Sequence, residues 1–140
     1  TQFLKSGKSG ELVSLDKLKE HITFLPGKPV NKFVWNMNDE EKLEAKKEHT
    51  IRFREIKEII EKEQYDLLIL DELIGTINNG FVELNEVIEF LKSKPETLEV
   101  VMTGRNPDEK LIELSNYVTE MKCIKHPFEE GIPSRIGIEL

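Results

Sequence analysis

Between residues 39 and 63 the apolar positions Phe53, Ile56 and Ile60 recur three and four residues apart, with Ile59 alongside, and the opposite face is lysine and glutamate. That period predicts a long amphipathic helix whose stripe covers one face of a sheet. Asn38 is a good N-cap, and Glu41 stands three residues later, as a capping box requires. Asp39 and Glu40 add negative charge at the positive helix start. Lys57 and Glu61, and Glu58 and Lys62, lie four apart and read as a solvated, ion-paired face. The pattern then changes. Leu67-Leu68-Ile69-Leu70 is an unbroken apolar run closed by Asp71 and Glu72. Such a run over Asp66–Asp71 reads as a parallel strand buried on both faces.

The remaining elements follow from shorter signals. Thr1 to Lys5 reads as a strand, Ser6 to Gly10 as a loop and Glu11 to Glu20 as a short helix. His21 to Leu25 reads as a strand stopped by Pro26-Gly27, and a polar, proline-containing loop then carries Phe33 and Trp35. Leu73 to Asn79 predicts one or two helical turns ended by Asn79-Gly80, and Leu84 to Lys92 a helix ended before Pro95. Leu98 to Met102 is a further strand, Asp108 to Ser115 a helix, and Asn116 to Lys122 a final strand before an irregular Gly- and Pro-containing tail. Strands alternating with helices imply an α/β fold: one domain over residues 1–140, with a mostly parallel sheet and helices on both faces.

Composition narrows the function. A net charge of −7 argues against a nucleic-acid partner, because phosphate backbones select a basic face. No apolar run approaches the ~20 residues that span a bilayer. The single cysteine, Cys123, excludes an internal disulfide and makes the cytoplasm the default compartment.

The candidate chemistry lies at the ends of strands. Asp71 and Glu72 fall at the carboxyl edge of the sheet, where α/β folds keep their ligands and where nucleotide-binding domains hold Mg²⁺ beside phosphates. The alternative is a core strand ending in solvated acids. Arg105 follows the strand Leu98–Met102 at the same edge, either as a nucleotide or phosphate contact or as a structural ion-pair partner. Lys5 lies at another strand end and could face the same ligands. Thr103 and Gly104 shape a turn. Gly7-Lys8-Ser9 does not complete a Walker A loop, because that pattern needs glycine where Gln2 stands. His126 lies three residues after Cys123, but two ligands do not make a zinc site. His21 and His49 have no visible partner set.

Read in order, several segments resemble the ATP:corrinoid adenosyltransferases of the P-loop-fold class. These are Gln2-Phe3-Leu4-Lys5, Lys32-Phe33-Val34-Trp35, Leu70-Asp71-Glu72-Leu73, Thr103-Gly104-Arg105, and Val118 to Lys122 followed by Lys125-His126-Pro127-Phe128 and Gly131. The resemblance implies a RecA-like, P-loop NTPase-like fold whose first strand, Walker A loop and helix would precede Thr1, so that the natural protein is expected to start earlier. It implies transfer of the 5′-deoxyadenosyl group of ATP to the cobalt of a reduced corrinoid, in adenosylcobalamin biosynthesis or salvage. Glu72 falls on the family's metal-side carboxylate, with Asp71 beside it, as ligands of Mg²⁺ or Mn²⁺. Phe33 and Trp35 fall on aromatic positions that pack under the corrinoid and displace its lower axial ligand; otherwise they pin a loop to the core. The implied partners are ATP, cobalamin or a precursor corrinoid, an electron-donating reductase and a second copy of the chain. Two rival readings stand beside this one. One is another P-loop-like ATPase or kinase domain; the other is an inactive corrinoid-binding remnant.

Overall fold

The computed structural model describes residues 1–4, 10–27 and 32–135. Its longest element forms as the periodicity predicts. The elements are α1 (Glu11–Lys17), α2 (Asp39–Lys62), β1 (Leu67–Leu70), α3 (Leu73–Asn78), α4 (Leu84–Ser93), β2 (Glu99–Met102) and α5 (Glu109–Leu114). The Asn38 side chain accepts from the Glu41 N–H at 2.9 Å, and the Glu41 carboxylate accepts from the Asn38 N–H at 2.9 Å. This reciprocal cap contributes about 1 kcal/mol. α2 buries His49, Arg52, Phe53, Ile56 and Ile60, which share one stripe. Lys57 does not pair with Glu61. It reaches across to Glu86 of α4 at 2.5 Å and lies over the Phe53 ring.

β1 and β2 are parallel, with Leu68 beside Val100 and Leu70 beside Met102. These four side chains face the core, where Phe53, Ile56, Val87, Phe90, Leu98 and Leu111 meet them. Each fully buried residue of this size contributes roughly 1.5–3 kcal/mol of transfer free energy. Thr1 to Phe3 lies along the other edge of β1. The Asp71 N–H donates to the Thr1 carbonyl at 3.1 Å and the Phe3 N–H to the Asp71 carbonyl at 2.8 Å. The expected strand Thr1–Lys5 is thus only this short: Leu4 turns away at φ 54°. Lys5 and Gly7-Lys8-Ser9 lie outside the described residues.

Three expectations are corrected. The sheet is not covered on both faces: Leu67, Ile69 and Val101 point outward, each more than two-fifths exposed. α1 has no buried residue and leaves that face open. His21 to Leu25 forms no strand: among the described residues its tie to the Thr1–Phe3 segment is a side-chain bond, the Thr1 hydroxyl on the Leu25 carbonyl at 2.8 Å. Asn116 to Lys122 forms none either. It pairs with no strand among the described residues, and Tyr117 and Met121 stay almost fully exposed. Alternation alone cannot make a strand without a partner edge.

Candidate functional site

The carboxyl ends of β1 and β2 build one tightly bonded corner. Register places Thr103 beside Asp71, and its N–H donates to the Leu70 carbonyl at 3.2 Å. The Thr103 hydroxyl donates to Asp71 Oδ1 at 2.7 Å and accepts from the Glu72 N–H at 2.9 Å. One hydroxyl therefore uses its proton on one acid and a lone pair on the backbone of the next. Gln2 Nε2 stands 3.5 Å from Asp71 Oδ2.

The corner is also strained. Glu72 adopts φ 60° as it turns β1 into α3, a left-handed geometry that costs a non-glycine residue about 1–2 kcal/mol. Gly104 sits at φ 140°, and a Cβ there would stand 2.6 Å from Ile74 Cβ and 3.1 Å from the Gly75 nitrogen. The Thr103-Gly104-Arg105 turn therefore approaches the start of α3 backbone to backbone, which only glycine permits. Asn78 Nδ2 donates to the Arg105 and Asn106 carbonyls at 2.8 and 3.1 Å, fixing the turn from the other side. This anchoring leaves the Arg105 side chain exposed at the same edge.

Asp71 and Glu72 both stand at the carboxyl end of β1, where Thr103 bonds the Asp71 side chain and the Glu72 N–H. Two adjacent carboxylates are hard oxygen donors, and no group of three or more His, Cys, Asp or Glu lies close enough to hold an ion among the described residues. Such a set fits a small divalent cation shared with phosphate oxygens and water, not one caged by protein alone. A cleft of 870 Å³ opens beside the corner, lined by Asp71, Gln2, Leu15, Leu18, Leu67 and Ile69.

The aromatic pair stands on a different element. Phe33 and Trp35 flank the start of a 3₁₀ turn, Val34–Asn36. Their rings stack with centroids 4.5 Å apart and planes within 6°. They are 65% and 76% exposed, so they do not pin the loop to the core. The turn is held from below: Lys32 pairs with Glu41, whose carboxyl is held below its usual range by that ammonium and by the Asn38 N–H. Among the described residues no hydrogen bond, ion pair or ring contact joins this turn to the Asp71–Glu72 corner.

Two residues lie beneath the corner: His49, which sequence reasoning left without a partner set, and Arg52, which it passed over. His49 is fully buried between Phe3 (centroids 5.7 Å apart) and Phe81 (5.8 Å), and neither ring nitrogen has a partner. Burial first, and the Arg52 charge second, pull its pKa down to about 4. Arg52 is 6% exposed. Its Nη1 donates to the Gln2 carbonyl at 2.7 Å, while Nη2 is unpaired. The signal was present: 49, 52, 53, 56 and 60 form one helical stripe, with two polar side chains at apolar positions.

Comparison with known proteins gives a consistent result. The sequence model of the family described as ATP:corrinoid adenosyltransferase BtuR/CobO/CobP matches residues 1–140. A corrinoid adenosyltransferase of Sinorhizobium sp is 39% identical over 108 residues, covering 76% of this chain and 50% of that protein. One from Pseudomonas aeruginosa is 30% identical over 140 residues, covering 99% and 66%. One from Escherichia coli K12 is 29% identical over 111 residues, covering 76% and 54%. The chain spans between half and two thirds of the length of these relatives.

Proposed function

Because the chain belongs to the ATP:corrinoid adenosyltransferase family, we propose that the protein transfers the 5′-deoxyadenosyl group of ATP to the cobalt of a reduced corrinoid. Co(I) donates its electron pair to C5′, the C5′–O bond breaks, and triphosphate leaves with the bonding pair. The nucleophile belongs to the substrate, so the protein needs no Ser, Cys or His nucleophile. Its work is to place C5′ against cobalt, to balance the charge of the leaving group and to make the corrinoid reducible.

The observation that carries this reading is the exposed Phe33–Trp35 stack. Two large rings held parallel in solvent form an apolar platform for a flat macrocycle. In this reading they pack under the corrinoid and displace its lower axial ligand, which eases formation of Co(I). Asp71 and Glu72 would hold Mg²⁺ or Mn²⁺, which when bound neutralises charge on the triphosphate. Thr103 orients that pair, and Arg105 contacts nucleotide or phosphate from the neighbouring turn. Lys5 is assigned to the same ligands from its sequence position alone. The parallel α/β arrangement is compatible with a P-loop, RecA-like fold, and membership of that class is part of the proposal. So are a single domain, a homodimer, a reductase that delivers the electron, and a cytoplasmic site of action.

Trp35→Ala in the full-length protein tests the platform. The expected outcome is at least a tenfold loss of transfer rate and loss of the spectral change that marks four-coordinate Co(II), with an unchanged melting temperature. An unchanged spectrum and rate would sink the assignment.

A further inference from the structure

Arg52 is an unexpected residue for its position. It lies on the apolar stripe of α2 between His49, Phe53 and Ile56, and it is 6% exposed. A buried guanidinium loses its hydration, and here it recovers only part of the loss, because Nη2 has no partner. A leucine or methionine would fill the stripe without that penalty. The surroundings are nevertheless shaped to admit the charge. A Cβ on Gly27 would lie 1.1 Å from Nη2, so the guanidinium occupies the space that any other residue at 27 would need. Its carbon lies 5.5 Å from the centre of the Phe3 ring.

The bond from Nη1 to the Gln2 carbonyl shows what the charge holds. Gln2 is the middle residue of the segment whose ends hold Asp71: the Thr1 carbonyl accepts from the Asp71 N–H, and the Phe3 N–H donates to the Asp71 carbonyl. Its side-chain amide stands beside Asp71 Oδ2. Arg52 thus grips the segment that holds Asp71 on its open side, opposite the Thr103 hydroxyl. We infer that Arg52 is a positioning residue: it fixes the Thr1–Phe3 segment, and through it the Asp71–Glu72 corner, in the geometry that receives the nucleotide. The role in nucleotide binding rests on the adenosyl-transfer reading; the role in holding the corner does not.

Arg52→Met and Gly27→Ala separate positioning from stability. Methionine fills the stripe without a charge, and alanine at 27 displaces the guanidinium without removing it. Ile60→Val, at the far end of the stripe, is a control for lost packing alone. In the full-length protein, both test variants are expected to weaken Mg·ATP binding about tenfold by calorimetry. Corrinoid affinity should stay within twofold, and the melting temperature of Arg52→Met should not fall. Amide exchange at Phe3 and Asp71 should quicken tenfold or more, while Thr103, which bonds across β1 and β2, keeps its protection. Arg52→Lys should restore part of both effects. Exchange that is unchanged, or faster everywhere as in Ile60→Val, overturns the inference. So does Mg·ATP affinity within twofold of wild type once the exchange has changed. If the wild-type protein binds no Mg·ATP, the functional reading fails, and the exchange measurement alone decides whether Arg52 holds the corner.

Discussion

The acidic corner and the aromatic turn meet the same demand, presenting ligand-facing groups, by opposite means. At the corner every backbone turn is over-determined. Thr103 bonds Asp71, the Glu72 N–H and the Leu70 carbonyl, Gly104 meets Ile74 without room for a Cβ, and Asn78 ties two carbonyls of the following loop. The left-handed Glu72 is tolerated because these bonds leave it no alternative. At the turn, Phe33 and Trp35 touch chiefly each other, and the support is one capping box and one lysine. A site for small hard ions needs oxygens fixed to fractions of an ångström, whereas a flat apolar ring tolerates sliding on a stack. The comparison teaches that rigidity is placed where charge must be matched.

The sharpest way to break the corner is Gly104→Ala. The methyl would collide with Ile74 and hold alanine at φ 140°, so a loss of about 4 kcal/mol is expected, read as a large drop in thermal or urea midpoint. An alanine at the exposed turn should cost almost no stability.

Acid should also loosen the corner first. His49 packs on Phe3, whose N–H bonds the Asp71 carbonyl. Its folded pKa of about 4 lies below the unfolded value near 6.5, so the folded state binds fewer protons. The stability from keeping it neutral is full above pH 6.5 and is lost as pH falls toward 4, by ~3 kcal/mol at that point. Denaturant midpoints measured from pH 7 to 4 check this. His49→Phe should flatten that part of the profile, and an unflattened profile would place the acid sensitivity elsewhere.

A smaller loss is expected at the N-cap of α2, just behind the turn. Asn38→Ala removes one half of the capping box and should lower stability by about 1 kcal/mol. Corrinoid affinity should change more than Mg·ATP affinity, because Glu41, which holds Lys32, loses its partner. Equal losses for both ligands would erase the distinction between the two regions.

What the sequence made legible follows from how local each feature is. The capping box, the stripe of α2 and the acids ending β1 depend on neighbours within a few residues, whereas what makes glycine necessary at 104 is Ile74 and Gly75 of α3. The extents of the strands are not local either. His21 to Leu25 and Asn116 to Lys122 have strand composition, but pairing is a property of two segments, and no ladder reaches them. The run Leu67 to Leu70 reads as covered on both faces, yet Leu67 and Ile69 stand open, because a run of apolar residues cannot say how many layers pack on it. His49 showed no partner set in the sequence and Arg52 drew no role, although both lie on the stripe of Phe53, Ile56 and Ile60. A polar side chain on an apolar stripe shows its role only when its unpaired nitrogens are seen.

The most direct test of the account is to incubate the full-length protein anaerobically with Mg·ATP and a chemically reduced corrinoid, then quantify both products. Triphosphate released in equal amount with a light-sensitive adenosylcorrinoid is the predicted result. Orthophosphate or diphosphate released without any alkylated corrinoid would contradict it.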